Sequence, residues 1–207
     1  HTDRMKYLLC PDKFKGTLTA GEACEGLTDG IRSIDPGGEI RSIPMADGGD
    51  GSVALLTERL GLVKEAVFTV DPLGREMYGA YYRSGNTAYV ELAAASGLVL
   101  LKEGERDPMK TSTYGTGLII RHAINAGCDE INLFIGGSAT NDAATGIATA
   151  LGYRFLDDNG NELKPVGANL LLIDEIQYEK SGGVRESVTL NVICDVDNPF
   201  FGPKGAA

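Results

Sequence analysis

The sequence predicts an α/β fold in two domains, a parallel layer followed by a mixed one. Three observations lead there. The opening stretch reads strand, helix, strand, helix, the order of parallel α/β layers. From Val63 onward, three strand-like runs follow one another through short turns, which is the connection antiparallel strands allow. Beyond them, helix and strand alternate again.

The elements are taken in chain order. Lys6 to Cys10 is a short apolar run stopped by Pro11, a buried strand. Thr19-Ala-Gly-Glu22 has the form of a capping box, so a helix starts there and runs to about Ile34, where Asp35-Pro-Gly-Gly38 ends it. Glu39 to Pro44 is a second strand. The glycine loop Asp47-Gly-Gly-Asp-Gly51 opens a helix that Asp50 would cap and that ends near Leu60, with Gly61 as its stop. Val63 to Val70, Arg75 to Arg83 and Thr87 to Leu92 are strands, separated by the turns Asp71-Pro-Leu-Gly74 and Ser84-Gly-Asn86. Then come a helix over Tyr114 to Ala126, a strand over Glu130 to Ile135 and a helix over Asp142 to Leu151. Gly167 to Ile176 is expected to be helical and Val188 to Val196 a strand. The change of pairing sets the expected domains at 5–64 and 65–207.

Composition narrows the partners. The 207 residues carry a net charge of −10, which disfavours nucleic acid, whose phosphates are met by basic surfaces. No apolar stretch approaches a membrane span, so no membrane partner is expected and the location expected is cytoplasmic. The four cysteines form no Cys-x-x-Cys pair and are expected to be buried apolar residues rather than metal ligands. The four residues before Met5 are left out of the fold reasoning.

Four segments carry chemistry. Ile135-Gly-Gly-Ser-Ala-Thr-Asn-Asp142 reads as a strand end, a glycine turn and a helix start. Gly136 and Gly137 permit close approach, and Ser138, Thr140 and Asn141 offer polar groups where unpaired helix N–H donors would favour an anion. The plain alternative is a capped helix after a tight turn. Pro11-Asp-Lys-Phe-Lys-Gly-Thr17 follows the first strand, where open α/β sheets bind ligands, and Lys13 and Lys15 could meet phosphate or carboxylate there or form a solvated turn. In Met45-Ala-Asp-Gly-Gly-Asp-Gly51, Asp47 has no capping duty and is a candidate for accepting a hydroxyl proton or touching magnesium; a turn-forming aspartate is the alternative. Asp195 and Asp197 close the last strand, where paired carboxylates hold magnesium and phosphate oxygens or simply make a turn. Asp107, Lys110, Thr111, Ser112 and Thr113 form a fifth polar cluster, read as capping the next helix. No P-loop, Rossmann fingerprint or serine-nucleophile elbow is present, and Gly115-x-Gly117 lacks the rest of a dinucleotide pattern.

Asp12-Lys-Phe-Lys-Gly16, Met45-Ala-Asp-Gly-Gly-Asp-Gly51, Gly136-Gly-Ser-Ala-Thr-Asn-Asp142 and Cys194-Asp-Val-Asp-Asn-Pro199 resemble, in the same order, the motifs of the bacterial glycerate kinase family. The likeness runs from about Met5 to the last residue. Family members continue well past that point, so the chain is expected to be truncated at its C-terminus. The resemblance implies ATP- and Mg2+-dependent phosphorylation of D-glycerate, usually to 2-phosphoglycerate. It implies a discontinuous flavodoxin-like domain, of which only the N-terminal part is present, and an inserted mixed-sheet domain likened to restriction-enzyme folds, with the active site between them.

On that basis Lys13 and Lys15 neutralise phosphate charge or grip the substrate carboxylate. Asp47 orients the glycerate hydroxyl or takes its proton, and Asp195 holds magnesium, with Asp197, or replaces Asp47 as the base. Gly48, Gly49, Gly136, Gly137, Ser138, Thr140 and Asn141 cradle the phosphate or carboxylate. Two competing readings are a truncated non-catalytic module that binds a sugar acid or nucleotide, and a phosphohydrolase using Asp195 as nucleophile. An exposed sheet edge would favour a homo-oligomer.

Overall fold

The structure, a computed structural model, describes residues 4–14, 17–46, 48, 51–178, 187–194, 196–199 and 202–205. Lys15, Asp47, Gly49, Asp50 and Asp195 therefore lie outside the described residues. The chain forms two compact units, residues 1–47 and 48–207.

The first unit contains β1 (Lys6–Leu9), α1 (Ala20–Ile34) and β2 (Glu39–Ser42). β1 and β2 pair in parallel, Lys6 opposite Glu39 and Leu9 opposite Ser42. The crossover helix begins as its sequence requires. Thr19 Oγ1 accepts from the Glu22 amide at 3.2 Å, and the Glu22 carboxylate accepts from the Thr19 amide at 2.7 Å. The Thr19 amide, and after it the Thr19 hydroxyl, which donates to the same carboxylate oxygen at 2.9 Å, hold the Glu22 carboxyl below the usual carboxylate range. α1 buries Ala20, Ala23 and Cys24.

The second unit contains α2 (Ser52–Leu60), β3 (Val63–Val70), β4 (Glu76–Ser84), β5 (Thr87–Glu91), α3 (Ala93–Ser96), α4 (Tyr114–Asn125), β6 (Glu130–Phe134), α5 (Thr145–Ala150), β7 (Tyr153–Leu156), β8 (Glu175–Tyr178) and β9 (Thr189–Ile193). One sheet runs in the order β3-β4-β5-β6-β9, and β7 and β8 form a separate antiparallel ribbon. β3, β4 and β5 pair antiparallel; β5, β6 and β9 pair in parallel. The mixed α/β character is the one expected from the sequence.

The sheet is covered on both faces. Ala88, Val90, Ile131 and Leu133 pack with Ile119, Ile120, Ala123 and Ile124 of α4 on one side. Each large aliphatic side chain buried there contributes roughly 1.5–3 kcal/mol. Phe134 packs with Val53 and Leu62 around α2 on the other. α4 and α5 cross so closely that a Cβ on Gly117 would lie 2.6 Å from Ala150 Cβ and 2.8 Å from Ile147 Cα. Helix packing therefore accounts for Gly117, the second glycine of Gly115-x-Gly117.

Several expectations are corrected. The helix expected from Asp142 starts only at Thr145, because Asp142, Ala143 and Ala144 form a turn with Ala143 and Ala144 at φ 51° and 59°. Gly167–Leu172 is a short 3-10 helix and the segment then becomes β8, so Gly167 to Ile176 is helical only in its first part. α3 and β7, each four residues, were not expected; that length is too short to show a period. Of the cysteines, Cys24 and Cys128 are buried, but Cys10 and Cys194, just beyond strand ends, are exposed.

Candidate functional site

Parallel α/β sheets bind ligands beyond the carboxyl ends of their strands. In the second unit those ends are Glu91, Phe134 and Ile193. Three of the four sequence motifs meet there. Gly48 has φ 89°, and a Cβ built on it would lie 3.2 Å from Ile193 Cγ2, so Gly48 of the first glycine loop sits against the end of β9. The Ile135 amide donates to the Ile193 carbonyl at 3.3 Å, joining the start of the second glycine loop to the same point. Asp197 follows β9 as an exposed residue. Lys13 belongs to the first unit, where its amide donates to Asp12 Oδ1 at 2.6 Å.

The second glycine loop is pinned from several sides. Leu98 N donates to the Gly137 carbonyl at 2.9 Å and Ala139 N to the Ser96 carbonyl at 2.9 Å, which fastens it to α3 and the turn after it. Thr111 Oγ1, buried, donates to the Ala139 carbonyl at 2.8 Å. Ser138 and Thr140 engage each other: their hydroxyls lie 2.9 Å apart, and the Thr140 amide donates to Ser138 Oγ at 3.0 Å. Neither residue stands at a helix start, as the sequence had suggested, because α5 begins further on.

A cleft of about 600 Å³ opens beside this loop. Leu92, Leu133, Ile135 and Ile147 form its apolar floor, with Leu190 and Val192 of β9; Ser138, Thr140, Asn141, Asp142 and Thr113 supply polar groups. Its size and its mix of apolar floor and few polar groups suit a small ligand.

Two residues given no role from the sequence organise this region. Glu91, the last residue of β5, accepts at Oε1 from the amides of Gly51 and Val53, both at 3.0 Å. It caps α2, for the N-cap residue Gly51 has no side chain to do so. The sequence signal was a carboxylate ending an otherwise uncharged strand. Asp142 is 1% exposed and accepts at Oδ2 from Thr113 N (2.8 Å), Thr113 Oγ1 (2.9 Å) and Gly146 N (3.2 Å), and at Oδ1 from Ala144 N (3.2 Å). The expected capping of α4 by the Thr111–Thr113 cluster is thus replaced in part. Ser112 Oγ accepts from the Tyr114 amide at 3.2 Å, while Thr113 turns to Asp142. Asp107 pairs with Lys110 at 2.9 Å in an exposed turn.

Among the described residues no group of three or more His, Cys, Asp or Glu side chains is placed to hold a metal, and no helix is long and apolar enough to cross a membrane.

The model of the glycerate kinase family matches residues 7–207. Glycerate kinase of Bacillus subtilis (strain 168) is 44% identical over 206 residues, 98% of this chain and 53% of that protein. Glycerate 2-kinase of Escherichia coli (strain K12) is 38% identical over 206 residues, 98% of this chain and 54% of that protein. A crystal structure of a protein from Salmonella typhimurium LT2, provisionally named glycerate kinase 2, superposes with a TM-score of 0.77 at 38% identity, covering 99% of this chain and 55% of its own. The chain spans about half the length of the curated relatives it matches. With the family model matched from residue 7 to residue 207, the chain belongs to the glycerate kinase family.

Proposed function

We propose that this chain carries phosphoryl-transfer machinery of a glycerate kinase, moving the γ-phosphoryl group of ATP to a hydroxyl of D-glycerate and giving ADP and 2-phosphoglycerate. The supporting observation is the convergence of the Gly48 loop, the Gly136–Asp142 loop and the end of β9 at the carboxyl edge of parallel strands. The named relatives supply the substrate class.

Phosphoryl transfer demands positioning and charge neutralisation more than covalent work by the protein. The glycerate hydroxyl oxygen attacks the γ-phosphorus while the bond to the β–γ bridging oxygen breaks, and its proton passes to a carboxylate. Asp47, or Asp195 in its place, is our candidate for that base. Ser138, Thr140, Asn141 and the backbone of Gly48, Gly49, Gly136 and Gly137 would hold the phosphate or the substrate carboxylate. Lys13 and Lys15 would balance the charge. Magnesium enters as part of the Mg-ATP substrate. It needs only one or two protein carboxylates beside the phosphates, and Asp195 and Asp197 are the pair proposed.

The domain assignment belongs to the same proposal: residues 5–64 as part of a discontinuous flavodoxin-like domain and 65–207 as an inserted, restriction-enzyme-like mixed-sheet domain. That boundary comes from the change of strand pattern in the sequence; it falls inside β3, whereas the two compact units divide between residues 47 and 48.

The test is ADP release from Mg-ATP by the 207-residue chain with and without D-glycerate. Release that requires D-glycerate supports the kinase. Equal release in its absence indicates a phosphohydrolase, and binding without release a non-catalytic module; either result overturns the proposal.

A further inference from the structure

We propose that Asp142, clamped by Thr113, is the positioning residue that sets the turn over Asn141, Asp142, Ala143 and Ala144 as an anion-recognition wall of the cleft. The amides of Asn141 and Ala143 would meet a carboxylate or phosphate group there. The class of ligand rests on the kinase reading; the positioning role rests on the geometry.

The first observation is that Asp142 is fully committed. Its side chain is 1% exposed and accepts from four donors, two from Thr113 and one each from Ala144 and Gly146. A carboxylate spent in this way has little left for a ligand or a metal; what it does is hold backbone. The second is what it holds. Ala143 and Ala144 both occupy the left-handed region, φ 51° and 59°, which L residues adopt at an energetic cost and which persists only where the surroundings impose it.

The third observation is how the amides divide. Those of Ala144, Thr145, Gly146 and Ile147 donate to Asp142 Oδ1, the Asp142 carbonyl, Asp142 Oδ2 and Thr113 Oγ1 respectively. The amides of Asn141, Asp142 and Ala143 and the Asn141 carboxamide donate to no acceptor among the described residues, and all three residues line the cleft. Successive free N–H groups in a tight turn form a concavity that attracts anions. Asp142 thus uses up the amides behind it and leaves those in front for a ligand.

The experiment is amide NMR of the 15N-labelled chain, titrated separately with D-glycerate and with inorganic phosphate. The Asn141 and Ala143 amide resonances should move with one anion or both, and which one moves them tells a carboxylate subsite from a phosphate subsite. Thr113→Val keeps the side-chain shape but removes the hydroxyl, and should weaken that binding about tenfold, whereas Thr113→Ser should restore it to within about twofold. Asp142→Asn should act in the same direction. If it fails to fold, the Thr113 pair decides. Asn141 and Ala143 amides silent to both anions, or Thr113→Val binding as tightly as wild type, would overturn the proposal. Moving amides without any phosphorylation of glycerate would sink the kinase reading alone, and phosphorylation with silent amides would sink this one alone.

Discussion

Glu91 caps helix α2 through Val53: its Oε1 accepts from the Val53 amide at 3.0 Å, and from Gly51 at the same distance. A strand end thus fixes the start of the helix that follows the first glycine loop. Replacing Glu91 with Ala removes this carboxylate from the start of α2 and should destabilise the second unit by about 1–2 kcal/mol, with Glu91→Gln losing roughly half as much. The urea midpoint measures it. Equal stability of wild type and Glu91→Ala would show that the cap contributes nothing.

Ala143 and Ala144 stand where glycine would be unstrained. Ala144→Gly should be neutral or stabilising by up to about 1 kcal/mol, while Ala148→Gly, inside α5, should cost about 1 kcal/mol. Thermal melts of the two variants give the comparison; equal losses would remove the argument for strain.

The crossing of α4 and α5 leaves no room at Gly117. Gly117→Ala must push Ala150 and Ile147 aside and should cost roughly 1–3 kcal/mol, near the upper end because backbone atoms are in the way. A melt unchanged from wild type would mean that the helices are farther apart than described.

Acid should loosen one surface network. Arg75 donates from Nη1 to Glu105 Oε1 at 2.8 Å, and this bond, ahead of the Lys102 amide, holds the Glu105 carboxyl below its ordinary value. A lowered folded pKa means that its stabilising contribution is present above the unfolded carboxylate range and is lost as pH falls through the folded value. Stability should therefore decline below about pH 5, and Arg75→Gln should flatten that decline. Denaturation curves at several pH values test this, and an identical slope in the variant would exclude Arg75 as the cause.

If phosphoryl transfer proceeds as proposed, Asp47→Asn or Asp195→Asn should cut turnover by at least roughly a hundredfold, the scale of a lost general base. Wild-type kcat in both variants would remove these residues from the chemistry.

Elements with local punctuation were legible in the sequence. The Thr19–Glu22 capping box, Gly61 as the stop of α2 and the Asp71–Gly74 turn form as their residues dictate, because each needs only neighbours in the chain. The position of the second glycine loop after a parallel strand was legible for the same reason. What was hidden depended on distant partners. Thr113 looked like a helix cap until the fold brought Asp142 beside it, and α5 starts only at Thr145 because the left-handed Ala143 and Ala144 separate Asp142 from the helix. Glu91 showed only as a carboxylate at a strand end; that it caps α2 depends on the fold bringing the distant amides of Gly51 and Val53 beside it.

The most direct test of the central claim is phosphorus NMR of this chain with Mg-ATP and D-glycerate. The account predicts a new phosphomonoester resonance that grows as ATP falls, with its coupling placing the phosphate on carbon 2. Inorganic phosphate as the sole new phosphorus species, formed at the same rate with or without D-glycerate, would contradict it.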